Sequence, residues 1–102
     1  MGEPEIDVDE LPRRVAHAVH ALMEVRHDLT VGPYGPYKPS EVVIYDTEAP
    51  DARSTGAALQ RAQSYGLAMR AGFGLWTATN LALANRSAFE QRYLRDTERD
   101  DE

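Results

Sequence analysis

The sequence predicts one small, mainly α-helical domain carrying a single β-hairpin. Three observations lead there. Leu11, Val15, Ala18, Val19, Leu22, Val25 and Leu29 recur at spacings of three and four, the signature of one helix face. Residues 53–65 are rich in alanine and leucine and run into Gly66, which sits where a helix C′ residue belongs. Two short apolar runs flank Ala71-Gly72-Phe73-Gly74, which supplies the glycines of a hairpin turn. A length of 102 residues suits one core, and 42% apolar with 27% charged residues fits a folded chain.

The elements follow in order. Residues 1–10 lack periodicity and read as a flexible acidic arm. A helix begins at Leu11, with Pro12 suited to its first turn, and ends near Asp28 or Leu29. Prolines 33, 36 and 39 in the doubled Gly-Pro-Tyr segment forbid a helix and favour an extended path. That segment is a stiff loop whose tyrosines pack on the domain, or a proline-motif ligand. Residues 41–46 read two ways: Val42-Val43-Ile44 favours a strand, whereas Ser40 as N-cap with Glu41 in the first turn favours a helix. After a loop at 47–52 comes the helix 53–65. Strands are expected at 67–70 and 75–79. A last helix starts near Thr79 or Asn80 and runs to about Arg95, with a break and restart at Ser87, where Ser87 and Glu90 have capping-box spacing. Residues 96–102 form an acidic tail.

Composition narrows the function. With no cysteine, disulfides, thiolate metal sites and cysteine nucleophiles are excluded. No apolar stretch reaches 18 residues, so neither a membrane span nor a signal peptide is expected, and the cytoplasm is the expected compartment. Residues 1–10 contribute −5 and residues 95–102 contribute −3, so of the net −6 the remainder, 11–94, carries +2. Ten of the eleven basic residues are arginines, the side chain whose planar fork matches phosphate and guanine. No phosphate loop, nucleophile elbow or His-Glu-x-x-His run is present, and the carboxylates concentrate in the ends. The chain is therefore not expected to be an enzyme, and no cofactor is implied.

The order of elements is carried by Ser40-Glu41-Val42-Val43, then residues 53–62, then Gly66-Leu67-Ala68-Met69-Arg70. It resembles the winged helix-turn-helix family of DNA-binding domains, including the MarR-like transcriptional regulators. The resemblance covers about residues 11–95 and tips 41–46 towards helix. It implies a helix, a helix-turn-helix, a two-stranded wing from Met69 to Thr77, and a C-terminal helix. It further implies a bacterial or phage regulator that reads double-stranded DNA with the helix from about 53 to 65.

The residue types agree. Arginine pairs with guanine, glutamine with adenine, and serine or threonine with either; small residues allow close approach or contact with a thymine methyl. The expected DNA-binding set is Arg53, Ser54, Thr55, Gly56, Ala57, Gln60 and Arg61, with Arg70 of the wing on the backbone. Glu48 and Asp51, in the preceding loop, would oppose phosphate. The alternative reading is a protein-interaction module whose acidic ends bind a basic partner or mimic nucleic-acid charge.

Other groupings have a plainer reading beside the functional one. His17, His20, Glu24 and His27 line one stripe of the first helix at metal-ligand spacing. The stripe lies opposite the apolar face, so it is expected to be solvent-exposed, without the surroundings a metal site needs; no metal is expected. Trp76 is expected in the core and Phe73 exposed at the turn, although together they would also make a base-stacking platform. Leu81, Ala84, Ala88, Phe89 and Tyr93 form a broad apolar surface on the last helix, which with the first helix suggests a two-fold homodimer.

Overall fold

The computed structural model describes residues 6–27 and 36–100, with only the backbone described for residues 26, 27, 99 and 100. Among the described residues, five α-helices and one antiparallel hairpin occur in the order α1 (Arg13–His27), α2 (Pro39–Val42), α3 (Ala52–Ser64), β1 (Ala68–Gly72), β2 (Leu75–Ala78), α4 (Asn80–Ala84) and α5 (Arg86–Asp100). Short 3-10 turns at Val8–Glu10 and Val43–Tyr45 precede α1 and follow α2.

The first helix is the hub. It contacts α2, the 43–45 turn, α3, β2 and α5. Every residue from Val15 to Met23 is buried, so α1 is covered on all sides rather than along one stripe. This corrects the expected exposure of the histidine stripe: His17 and His20 are 1% and 6% exposed. The side chain of His27 lies outside the described residues.

Residues 41–46 are helical, as α2 and its 3-10 continuation. Pro39 at the first helical position and the Glu41 carboxylate, which accepts a hydrogen bond from the Lys38 backbone N–H at 3.0 Å, start the turn. Burial of Val42 then overrides the β propensity of Val42-Val43-Ile44. The cap is Lys38, not Ser40.

Asp51 caps α3, accepting from the Ser54 backbone N–H at 2.9 Å. At the other end, Gly66 (φ 76°) and Leu67 close a Schellman turn: the Gly66 N–H donates to Gln63 O and the Leu67 N–H to Ala62 O, both at 3.0 Å. The chain passes directly into the hairpin, whose register pairs Ala68 with Ala78, Met69 with Thr77, Arg70 with Trp76 and Gly72 with Leu75. Tyr37 adds an antiparallel bridge on the other side of Trp76, with backbone bonds of 2.9 and 2.8 Å. The expected packing of a tyrosine from the proline-rich loop thus holds for Tyr37, which is buried; residues 31–35 lie outside the described residues.

Two boundaries near the end differ from expectation. The helix breaks at Asn85, not Ser87; the Asn85 side chain donates to Leu81 O at 2.9 Å and its own carbonyl receives the Ala88 and Phe89 N–H groups. The helix α5 continues to Asp100 rather than stopping at Arg95. Asp96, just past the expected end, is matched within the fold: Arg92 Nε donates to it at 3.3 Å, and its carboxylate also meets His17 Nε2 at 2.8 Å.

The acidic arm is also partly built into the fold. Residues 1–5 lie outside the described residues, but Val8 is buried, Arg92 donates to Val8 O at 2.7 Å, and Arg95 pairs with Asp9. Much of the apolar surface expected to meet a partner copy is used within the chain. Phe89 is 1% exposed, Leu81, Ala88 and Tyr93 are half-buried, and Ala84 is exposed. No helix among the described residues is long and apolar enough to cross a membrane.

Candidate nucleic-acid interface

Helix α3 has two faces with different tasks. Thr55, Ala58, Leu59 and Ala62 are buried against the body of the domain. Arg53, Ala57, Gln60, Arg61 and Ser64 are exposed, and spacings of three and four put them on the opposite face.

The buried face is anchored by a polar junction. The Asp46 side chain is inaccessible to solvent and accepts two hydrogen bonds from the Arg14 guanidinium, at 3.0 and 3.2 Å. It also accepts from Thr55 Oγ1 at 3.0 Å. One carboxylate thereby ties α1 to α3 and leaves the Thr55 hydroxyl occupied. Thr55 is 0% exposed and is corrected from base reader to anchor. Gly56 is half-buried beside α2, and a Cβ there would make ordinary contact with the Pro39 ring at 3.4 Å.

Of the remaining expected residues, the structure groups Arg53, Ala57, Gln60 and Arg61 on the free face, with half-buried Ser54 at its edge. Ser54, Ala57, Ala58 and Arg61 line a shallow depression of about 220 Å³ together with Arg14 of α1. Arg14 was not among the expected site residues, because its approach to α3 depends on Asp46, 32 positions away.

Arg70 is exposed on β1, with its guanidinium carbon 5.4 Å from the centroid of the Trp76 ring, within cation–π range. Trp76 is 3% exposed, which places it in the core as expected. Phe73 is 103% exposed at the hairpin tip.

The charge of this region has a signal in the sequence that neither net charge nor motif spacing displays. From Ala52 to Phe89 there is no Asp or Glu, while Arg53, Arg61, Arg70 and Arg86 are present. The segment that builds α3, the hairpin and α4 carries +4 in a chain of net −6. The acids of the loop before it, Glu48 and Asp51, are engaged locally. Glu48 pairs with Arg13. Asp51 is held below the usual carboxylate range by the Ser54 backbone N–H it accepts.

His17 and His20 face inward and contact protein groups. His20 stacks on Tyr93 with ring centroids 4.4 Å apart, and its Nε2 lies 3.5 Å from Glu24. Burial lowers its pKa below the ordinary histidine value, against the opposing charge of Glu24. Among the described residues no group of three or more His, Asp or Glu side chains is placed to hold a metal ion.

Comparison with known protein families, with curated proteins and with solved structures finds no match to this chain.

Proposed function

We propose that this chain is a winged helix-turn-helix protein that binds double-stranded DNA as a sequence-specific transcriptional regulator. The observation that carries the reading is the acid-free exposed face of α3, bearing Arg53, Ala57, Gln60 and Arg61. A protein with net charge −6 that keeps one 38-residue segment free of acids has a surface suited to a polyanion.

The chemistry divides by position. Arg53 and Ala57 lie in the first turns of α3, where a helix entering the major groove brings side chains to base edges. Arginine there offers a bidentate fork to guanine, Gln60 pairs with adenine, and the Ala57 methyl meets a thymine methyl. Arg61 and Arg70 serve the backbone phosphates and fix the register without reading sequence. The Asp46 junction gives this face a rigid mount, since α3 cannot tilt without breaking bonds to Arg14 and Thr55. The packing of α2 on α3 and the Tyr37 bridge to the hairpin support the winged arrangement.

The test is the paired substitution Arg53→Ala with Arg61→Ala, followed by titration with labelled duplex DNA. The proposal requires weaker binding and a smaller salt dependence than the wild-type chain shows. Unchanged affinity would refute it.

A further inference from the structure

The hairpin tip carries a side chain that α3 reading leaves unused. Phe73 is more exposed than any other large apolar residue described, and it stands on a narrow mount. Gly72 and Gly74 flank it, Gly74 has φ 70°, and a Cβ at Gly74 would meet nothing within 4 Å. The tip therefore stands clear of the domain. A bulge between Arg70 and Gly72 bends the strand just before it. Arg70, held over Trp76, supplies the cation nearest the tip along β1.

We infer that Phe73 is a wedge that enters the minor groove of a DNA duplex and inserts between adjacent base pairs, unstacking and kinking them. The inference rests on the DNA-binding reading above and adds to it a deformation of the bound duplex. Apolar side chains on a cationic support are the means by which proteins open base steps. The occupant follows from shape and charge. Ala71, Gly72 and Gly74 flank the ring in the chain, and the Leu75 side chain beside Gly72 is half-buried, so Phe73 stands out as a single apolar group rather than as part of the broad patch that a protein or lipid interface needs. One flat ring does match one gap between stacked base pairs. The absence of acids from Ala52 to Phe89 removes the repulsion that would keep the tip from a polyanion. A wedge also chooses its sequence, favouring the easily unstacked TA and CA steps that the side chain never hydrogen-bonds.

The experiment uses the full chain and a duplex of about 30 base pairs, recovered from a random-sequence pool by the wild-type protein and carrying donor and acceptor dyes at its ends. Wild-type protein should shorten the end-to-end distance, and recovered duplexes should share a TA or CA step. Phe73→Ala should bind about tenfold more weakly and lose the shortening. Its salt dependence should match the wild type, because no phosphate contact is removed. Phe73→Leu, still an apolar wedge, should retain most of the bend. Thermal unfolding should be unaltered in both variants, since the ring packs on nothing. If the duplex is recovered and Phe73→Ala bends it as the wild type does, the wedge is overturned and the DNA-binding reading stands. If the wild-type chain recovers no duplex even at low salt, both fall.

Discussion

Asp46 and Thr55, nine residues apart, meet beneath α3 through a 3.0 Å hydrogen bond that is wholly buried. The same carboxylate also accepts two hydrogen bonds from the Arg14 guanidinium, one of them on the oxygen that Thr55 uses, so the charge that is buried is also paired. Removing one member leaves the rest uncompensated. Asp46→Ala leaves the Thr55 hydroxyl and the partly exposed Arg14 guanidinium without their acceptor and should lower stability by about 1–3 kcal/mol. Thr55→Val keeps the shape and loses only the hydroxyl, with an expected cost of about 1–3 kcal/mol. Urea unfolding monitored by circular dichroism measures both. Equal stability of Asp46→Ala and wild type would contradict the junction.

His20 makes stability pH-dependent in a defined direction. His20 is faced by Tyr93 of α5, by Glu24 and His17 of α1, and by Glu90 and Arg86 of α5. Burial is the largest influence and lowers its pKa below 6.5, so the unfolded chain binds the proton more readily than the folded one. The associated stability is complete above about pH 6.5 and is lost as pH falls through the lower folded value. Urea midpoints should therefore drop between pH 7.5 and 5, and His20→Gln should flatten that limb. Asp96 adds a second loss at lower pH. Burial alone would raise its pKa, but the hydrogen bond from His17 and the charge of Arg92 prevail and lower it below 3.8. A His20→Gln protein with the same acid limb as wild type would sink this account of the first transition.

The N-terminal segment is a third place to test the fold. Val8 is 3% exposed, and Arg92 of α5 reaches its carbonyl. Val8→Ala should cost about 1–3 kcal/mol in urea unfolding, the scale of one buried aliphatic side chain. A fully solvated arm would give no change. Removing residues 1–10 to probe their charge would therefore also uncover core, and charge-neutralising substitutions at Asp7 and Glu10, both exposed, separate the two effects. Loss of two acids should leave DNA affinity equal or raise it.

Much of this architecture is written in local patterns. The glycine stop at Gly66, the hairpin around Gly72 and Gly74 and the start of α4 at Thr79 follow from turn and cap chemistry acting within a few residues. What local pattern misplaced depends on distant partners. His17 looked solvent-facing because its partner Asp96 lies 79 positions away on a helix expected to end before it. Thr55 looked like a base reader because a threonine near a helix start gives no sign of an aspartate buried beneath it. The segment Val42-Val43-Ile44 was legible either way until Pro39 and Glu41 set the turn. The free face of α3 is legible in part: Arg53, Ala57, Gln60 and Arg61 are accessible, Ser54 and Gly56 are half-buried, and Thr55 is buried as an anchor.

The most direct measurement is titration of the purified chain against labelled random duplex and against genomic fragments at two salt concentrations. The account predicts binding that weakens steeply as salt rises, with a slope of roughly −0.9 for each phosphate neutralised, and at least one fragment held far more tightly than random duplex. Absence of binding to every duplex at low salt would contradict it.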